Sequence, residues 1–238
     1  MAREQLNGAN YNWNAFPGRP QLAAALAGRV ADRLTRAIAE RGVAVLAVSG
    51  GTTPAKFFAA LSAMPIAWEN VIVTLVDERF VPASSPRSNA GLVAANLLQN
   101  AAKAARFVPL YHEASGIEDA AASDDAALRS LPWPLDVVVL GMGPDGHTAS
   151  FFPDADDLAK LLDPASDRII LPVHAASAGE PRLTLTLARI VDAGFIALHI
   201  EGEDKRTAFD GAVAPGPRKP IRAVLDAAPR PVEVFWAP

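Results

Sequence analysis

The sequence predicts an α/β fold in three layers, an open and mostly parallel sheet with helices on both faces. The first observation behind this fold class is a series of short, continuously apolar segments, which are typical of strands buried on both faces. The second is that helical stretches lie between these segments, and this alternation favours a parallel α/β sheet. The third is length, since 238 residues can bury a generous core within one domain. We therefore expect residues 1–238 to form a single domain.

The predicted elements follow in order along the chain. The first is an amphipathic helix, in which an apolar residue recurs at every fourth position from Leu22 to Ile38 and Gly42 marks the end. The predicted strands are residues 43–48, 71–76, 135–140, 169–173, 195–200 and 232–235. The predicted helices between them are residues 54–63, 88–105, 117–131 and 204–213. Residues 212–220, AVAPGPRKP, have the composition of a linker, but too little chain follows for a second domain.

Composition and charge argue against several kinds of site and partner. The chain has no cysteine, which excludes disulfides, thiolate metal ligands and cysteine nucleophiles. A net charge of −4 argues against general attraction to nucleic acid. No apolar run approaches the roughly 18 residues that span a membrane, and the first residues lack the apolar core of a signal peptide. We expect a cytoplasmic protein, a monomer or small homo-oligomer, that binds neither nucleic acid nor membranes.

A glycine-rich turn follows the first predicted strand, with the sequence Ser49-Gly50-Gly51-Thr52-Thr53-Pro54. In open α/β sheets, ligands bind beyond the carboxyl ends of the strands. Glycines allow close backbone approach, Thr53 can cap the next helix, and Pro54 suits its first position. These features indicate a phosphate site at a helix start, although an ordinary tight turn fits the same residues. The turn is not a P-loop, because the lysine element is missing.

Three charged residues, Asp77-Glu78-Arg79, follow the second predicted strand directly. Taken alone, they fit a solvated loop edge. Their place at the carboxyl end of a strand offers a second interpretation, in which Arg79 contacts an anion and Asp77 a hydroxyl group.

The segment Leu140 to His147, LGMGPDGH, contains the pattern G-x-G-x-x-G. A dinucleotide-binding pattern leads into a substantial helix, whereas Pro153 interrupts the chain soon after His147. We therefore interpret the glycines as a sharp turn that presents His147, with Asp145 close by. A helix start at this point would keep the imidazole neutral, the form that a general base needs. A structural cap is the alternative role for His147.

The remaining histidines and two cations are weaker candidates. His199 lies within an apolar strand and is predicted to be a hydrogen-bonded core residue, while His112 and His174 lie near loop edges without an evident partner. Lys205 stands at a predicted helix start, where a cation is mildly unfavourable and an anionic partner is indicated. Arg182, just before an alternating Leu/Thr segment, is a similar candidate with less support.

Five motifs together resemble the 6-phosphogluconolactonase family. They are SGGTTP, DERFVPASSPRSN, LGMGPDGHTASFFP, PRLTLT and GEDK, and their order and spacing match from about residue 43 to residue 210. That family is similar to glucosamine-6-phosphate deaminases and has a ribose-5-phosphate isomerase/CoA-transferase-like α/β fold. The resemblance implies hydrolysis of a phosphorylated sugar lactone, 6-phosphogluconolactone, to 6-phosphogluconate in the pentose phosphate pathway. It implies no metal and no organic cofactor.

The resemblance also implies roles for particular residues. His147 becomes the catalytic base, and Asp77 falls where the related deaminases use an acid/base carboxylate, so that here it orients either the sugar or the water. One departure is that Ser84-Ser85 stand where many members have acidic residues. The sugar phosphate is expected around Ser49, Gly50, Gly51, Thr52, Arg79 and Lys205.

Three alternative functions remain open on the sequence. An amino-sugar phosphate deaminase/isomerase would carry a tyrosine after Asp-Glu and a glutamate soon after the histidine, whereas this chain has Arg79 and no carboxylate in residues 148–153. A non-catalytic sugar-phosphate sensor would bring an output module, for which the segment before the first helix is too short. A serine hydrolase is disfavoured, because no G-x-S-x-G turn is present.

Overall fold

The computed structural model describes residues 8–238, whose strands form two sheets. The strands are β1 (Tyr11–Ala15), β2 (Ala44–Val48), β3 (Val71–Leu75), β4 (Asp77–Arg79), β5 (Arg106–Val108), β6 (Val137–Leu140), β7 (Ile170–Val173), β8 (Arg182–Leu185), β9 (Phe195–Glu201) and β10 (Val232–Ala237). The helices are α1 (Arg19–Arg41), α2 (Ala55–Ser62), α3 (Asn89–Asn96), α4 (Ile117–Leu128), α5 (Leu158–Leu161), α6 (Leu187–Val191), α7 (Glu203–Val213) and α8 (Pro220–Ala227).

The larger sheet has seven parallel strands in the order β1-β10-β9-β6-β2-β3-β5. All five residues of β2 and of β3 are buried. Because successive side chains of a strand point to opposite faces, complete burial means that both faces of the sheet are covered. Helix α1 packs on α2, and α8 contacts both α6 and α7. The predicted strands 43–48, 71–76, 135–140, 195–200 and 232–235 all belong to this sheet.

The predicted strand 169–173 was wrongly placed in the parallel sheet. It forms β7, which pairs antiparallel with β8 in a smaller sheet of order β4-β8-β7. Leu171 and Pro172 in β7 are only half-buried. Proline lacks an N–H group and is tolerated at a sheet edge, where β7 lies. The apolar run alone could not reveal which sheet it joins.

The single helix predicted over residues 88–105 was also wrong. Helix α3 ends at Asn96, a short 3-10 helix covers Asn100–Ala104, and β5 follows. Asn100 has a φ of 47°, a left-handed conformation that no helix interior contains. The segment therefore turns back to place β5 beside β3.

The predicted linker, residues 212–220, runs from the last turn of α7 to the first residue of α8. Ile221 at the start of α8 donates its backbone N–H to the carbonyl of Gly146 at 3.0 Å. The chain after the linker therefore packs back onto the segment that carries His147. Within residues 8–238, no helix is long and apolar enough to cross a membrane.

Candidate active site

A cavity of about 350 Å³ opens where β2, β6 and β9 end at the same edge of the larger sheet. Ligands bind at this edge in open α/β sheets, because the connections after parallel strands converge there. Asp145 does not line the cavity but contacts His147, which does. The other predicted site residues all line it: Ser49, Gly50, Gly51, Thr52, Asp77, Arg79, His147, Arg182 and Lys205.

The segment after β2, residues 49–53, forms one wall and is called here the serine-glycine turn. The backbone N–H groups of Gly50, Gly51 and Thr52 have no acceptor within residues 8–238. A Cβ on Gly50 would lie 1.8 Å from the side-chain oxygen of Asn89, so only glycine fits there. The turn therefore presents free N–H groups to the cavity, as a phosphate site requires.

The predicted helix cap at Thr53 is wrong. Helix α2 begins at Ala55 with Pro54 as its N-cap residue, and no side chain bonds to the cap. The first N–H groups of α2 are therefore not occupied by a threonine hydroxyl. This increases the number of donors near the serine-glycine turn.

Asp77-Glu78-Arg79 are not a solvated loop edge, which corrects the simpler of the two sequence interpretations. They form β4, paired antiparallel with β8, and Asp77 and Glu78 are 7% and 0% exposed. Burial raises the pKa of Glu78, and hydrogen bonds from Asn89, Ala90, Arg79 and Ser88 oppose this rise. The contacts are the backbone N–H groups of Arg79, Asn89 and Ala90 at 2.7, 2.8 and 2.7 Å and the Ser88 hydroxyl at 3.0 Å.

Glu78 thereby fixes the start of α3 against β4. Asn89, the first residue of α3, donates its side-chain N–H to the carbonyl of Asp77 at 2.8 Å and packs against Gly50. One buried carboxylate thus links β4, α3 and the serine-glycine turn. This role of Glu78 was not predicted from the sequence, although Ser88 in a helix-capping position was a usable signal.

Asp77 is held by Ser150, to which the sequence analysis gave no role. The hydroxyl of Ser150 donates to Asp77 Oδ2 at 2.6 Å, and the Ser150 N–H donates to the Thr184 hydroxyl at 3.3 Å. Both hydrogen bonds join residues that are distant in the sequence, so local sequence patterns could not predict them. They fix the Asp77 carboxylate at the cavity wall.

Residues 141–147 form a second wall, called here the histidine turn. The N–H of Gly143 donates to the carbonyl of His147 at 2.8 Å, and that of Gly146 donates to Gly143 at 3.1 Å. A Cβ on Gly143 would lie 2.2 Å from the imidazole of His147, so a larger residue here would displace the ring. The predicted sharp turn is therefore present, and the next helix begins only at Leu158, which agrees with rejecting a dinucleotide-binding pattern.

The predicted helix start beneath His147 is wrong, because residues 147–153 contain no helix. A carboxylate takes its place: Asp145 Oδ1 lies 2.6 Å from His147 Nδ1. Since a carboxylate only accepts, Nδ1 carries the proton in the neutral ring and Nε2 keeps a free lone pair. The ring also lies 4.4 Å from that of Phe152. His147 thus has the tautomer and fixed orientation of a general base.

Lys205 and Arg182 bring positive charge to the cavity. Lys205 lies in the first turn of α7 and donates to the carbonyl of Met142 at 2.7 Å. Burial lowers the pKa of Lys205, which the negative charge of Asp145 opposes. Arg182 donates to Ala178 at 2.8 Å. Burial also lowers the pKa of Arg182, against the effect of nearby Asp77.

Three buried polar atoms in the cavity lining have no hydrogen-bond partner within the described chain. They are the hydroxyl of Ser49 and the Nε atoms of Arg79 and Arg182. Buried polar groups are nearly always paired, so those that line a cavity without a protein partner are available to a ligand. Two guanidinium donors and a row of free N–H groups suit an anionic ligand.

The other three histidines all have carboxylate partners. His199 is buried as predicted, with Nε2 3.1 Å from Glu201 Oε1, but it also lines the cavity, which the sequence did not reveal. His112 contacts Asp124 at 3.0 Å and His174 contacts Glu118 at 2.8 Å, partners that lie too far along the chain to be read from sequence. Within residues 8–238, no group of three or more His, Asp or Glu side chains could hold a metal ion.

The fold and the cavity define the class of this protein. It is an α/β enzyme in which a histidine–carboxylate pair stands beside donors for an anionic ligand. A family model described as glucosamine-6-phosphate isomerases/6-phosphogluconolactonase matches residues 17–236. The chain belongs to this family, and the predicted resemblance and fold class are confirmed.

Individual relatives support the same assignment. The 6-phosphogluconolactonase of Mesorhizobium japonicum is 96% identical over 238 residues, which is 100% of both chains. That of Rhizobium meliloti is 52% identical, covering 95% of this chain and 99% of the relative. The crystal structure of a 6-phosphogluconolactonase from Shewanella baltica has a TM-score of 0.93 at 38% identity and covers 98% of this chain and 100% of that chain.

Proposed function

We propose that this protein hydrolyses 6-phosphogluconolactone to 6-phosphogluconate in the pentose phosphate pathway. The observation that carries the proposal is the contact of 2.6 Å between His147 and Asp145, at a cavity that also contains donors with no partner among residues 8–238 and suited to a phosphate group. Neither feature alone selects a reaction. Together with the 6-phosphogluconolactonases among the relatives, they support a phosphorylated lactone as the substrate.

His147 acts in both halves of the reaction. Its Nε2 takes a proton from a water molecule as the water oxygen attacks the lactone carbonyl carbon. The tetrahedral intermediate then breaks its bond to the ring oxygen, which receives the proton from Nε2 and becomes a hydroxyl group. Asp145 holds the proton on Nδ1 throughout and stabilises the imidazolium that forms between the two steps. Asp145 is therefore a positioning residue in this scheme.

The phosphate positions the lactone for this attack. The N–H groups of Gly50, Gly51 and Thr52, the hydroxyl of Ser49 and the cations of Arg79 and Lys205 surround the phosphate at one side of the cavity. Arg182 supplies a third cation, and Asp77 orients a hydroxyl group of the sugar. Holding the reacting atoms together in this way contributes to the rate without taking part in bond making.

The test is to generate the lactone in situ and to follow acid release with and without the protein. The comparison is necessary because the lactone also opens spontaneously in water. A clear acceleration at micromolar protein supports the proposal. An unchanged rate contradicts it.

A deaminase reaction receives less support from the site. Among the residues that line the cavity, Asp77 is the only carboxylate. No acidic residue lies between His147 and Pro153. Incubation with glucosamine 6-phosphate is expected to release no ammonia, and ammonia release at a rate comparable to lactone hydrolysis would favour the deaminase.

We also propose that one domain carries this activity, in the cytoplasm, as a monomer or small homo-oligomer. Sedimentation of the purified chain measures the oligomeric state directly. A large assembly would contradict that part of the proposal.

A further inference from the structure

The cavity lining contains a second histidine whose ring, like that of His147, contacts a carboxylate. His199 lies on β9, is 3% exposed and has Nε2 3.1 Å from Glu201 Oε1. The other oxygen of Glu201 lies 3.3 Å from Nε of Arg19 at the start of α1. The ring of Phe57 lies nearly perpendicular to that of His199, with 6.1 Å between the ring centroids and 81° between the ring planes.

These contacts decide where the proton of His199 lies. The Glu201 carboxylate can only accept, so Nε2 of the neutral ring must be the donor. Nδ1 then keeps a lone pair and can only accept a hydrogen bond. Within residues 8–238, Nδ1 has no hydrogen-bond partner, yet His199 lines the cavity.

The lone pair on His199 Nδ1 determines which group of a ligand can bind there. A phosphate dianion brings only acceptors, so it gains nothing from Nδ1 of a neutral ring. A sugar hydroxyl group can donate to Nδ1. The guanidinium and backbone donors elsewhere in the cavity suit the phosphate, whereas His199 offers the complementary acceptor.

We infer that His199 is a substrate-binding residue whose Nδ1 accepts a hydrogen bond from one hydroxyl group of the sugar. Glu201 is its positioning residue, because it fixes the tautomer of the ring. This inference rests on the proposed function for the identity of the sugar. It assigns the site a preference for a polyhydroxylated ring over a ring lacking that hydroxyl group.

Two substitutions separate this role from a purely structural one. In His199→Gln the amide reaches the position of Nε2 and can still contact Glu201, but nothing replaces Nδ1. In His199→Asn the amide oxygen falls near the position of Nδ1, and the contact with Glu201 is lost. We expect His199→Gln to lower kcat/KM by about tenfold, and His199→Asn to retain more activity despite a lower Tm. A fully active His199→Gln together with a less active His199→Asn would overturn the inference.

Lactone analogues that lack the hydroxyl group at C2, C3 or C4 test which hydroxyl group contacts His199. For the analogue that lacks the contacted hydroxyl, wild type and His199→Gln should have equal kcat/KM, while the other two analogues keep the tenfold difference. The same wild-type to variant ratio for all three analogues would contradict a hydroxyl contact.

Nitrogen NMR of the wild-type imidazoles tests the inference without catalysis or a variant that must fold. Histidine signals are assigned by single replacements of the half-buried His112, the exposed His174 and His147. We expect the free protein to show His199 protonated at Nε2 and the Nδ1 signal to shift when 6-phosphogluconate is added. Inorganic phosphate should leave it unchanged. If the protein accelerates lactone opening but its His199 Nδ1 signal does not shift with 6-phosphogluconate, this inference alone is overturned. If the protein does not accelerate lactone opening, the proposed function is overturned.

Discussion

His147 Nδ1 and Asp145 Oδ1 lie 2.6 Å apart across a turn in which Gly143 leaves no space for a side chain. The imidazole is therefore fixed both by a hydrogen bond and by the backbone that it touches. Its second nitrogen is free to exchange a proton with water. This arrangement leads to the first two predictions.

Replacing His147 by glutamine should reduce kcat by about 10²- to 10⁴-fold, the usual contribution of a general base. The phosphate contacts remain, so KM should change little. Initial rates of acid release over a range of lactone concentrations provide both values. His174→Gln, which removes an exposed ion pair with Glu118, is the matched control and should behave as wild type. Near-normal turnover of the His147 variant would exclude it as the base.

Replacing Asp145 by asparagine should also lower kcat, by a smaller factor than the loss of His147. The amide can donate a hydrogen bond to Nδ1, which favours the tautomer with its proton on Nε2 and removes the lone pair that the reaction needs. The Asp145 side chain is 38% exposed, so solvent can partly restore the working tautomer. Steady-state kinetics at fixed pH measures the effect. An unchanged kcat would show that Asp145 does not position His147.

Replacing Ser49 by alanine should raise KM and at the same time stabilise the ligand-free protein by about 1 kcal/mol. Its hydroxyl oxygen is buried and has no partner in the part of the chain that the structure describes, and such a group is unfavourable until a ligand binds. Thermal unfolding with and without inorganic phosphate measures both consequences, since a bound ligand raises Tm. Ser150→Ala is the control: its hydroxyl already donates to Asp77, so its removal should destabilise the protein. A Ser49 variant with a lower Tm in the absence of phosphate would contradict the assignment.

Replacing Glu78 by alanine should destabilise the fold by at least about 3 kcal/mol. Three backbone N–H groups and the Ser88 hydroxyl would lose their shared acceptor inside the protein. Chemical denaturation of the variant measures the change in the free energy of unfolding. The exposed Glu40 provides the control, and Glu40→Ala should stay within about 0.5 kcal/mol of wild type. A similarly small change for Glu78→Ala would mean that the start of α3 is held by other contacts.

Asp124 should make stability fall as pH rises from about 4 to about 6. Burial raises its pKa from 3.8 to about 6, against the effect of neighbouring His112. A carboxyl group with a raised pKa in the folded state favours folding while it is protonated, and this contribution is lost as pH passes the folded value. The loss amounts to at most about 3 kcal/mol for a shift of this size.

Asp124→Asn should flatten this part of the pH profile. Urea denaturation of wild type and variant at several values between pH 4 and pH 7 provides the test. Asp192→Asn, at an exposed position, serves as control and should follow the wild-type profile. A variant profile that still falls as steeply as that of wild type would show that another group is responsible.

For a physical reason, the sequence alone could predict that Ser49, Asp77 and His147 lie together, as they do in the lining of the cavity. Residues directly after parallel strands meet at one edge of a sheet, so Ser49, Asp77 and His147 could be grouped from their positions behind apolar segments. The same reasoning could not find Ser150 or Glu78 as supporting residues, because their partners are chosen by packing between distant segments. It also placed His147 at a helix start, where the structure has a carboxylate instead.

The amino-acid pattern by itself determined the α/β class, most strands of the parallel sheet and the residue types that lie at its edge. Burial of the strands follows from their local hydrophobicity, and their parallel direction follows from the alternation of strands with helices. Only the tertiary structure decided that β7 joins an antiparallel sheet, that Glu78 lies buried beneath α3 and that His199 faces the cavity. Those outcomes depend on contacts between residues far apart in the chain, whose energies do not exist until the segments are packed together.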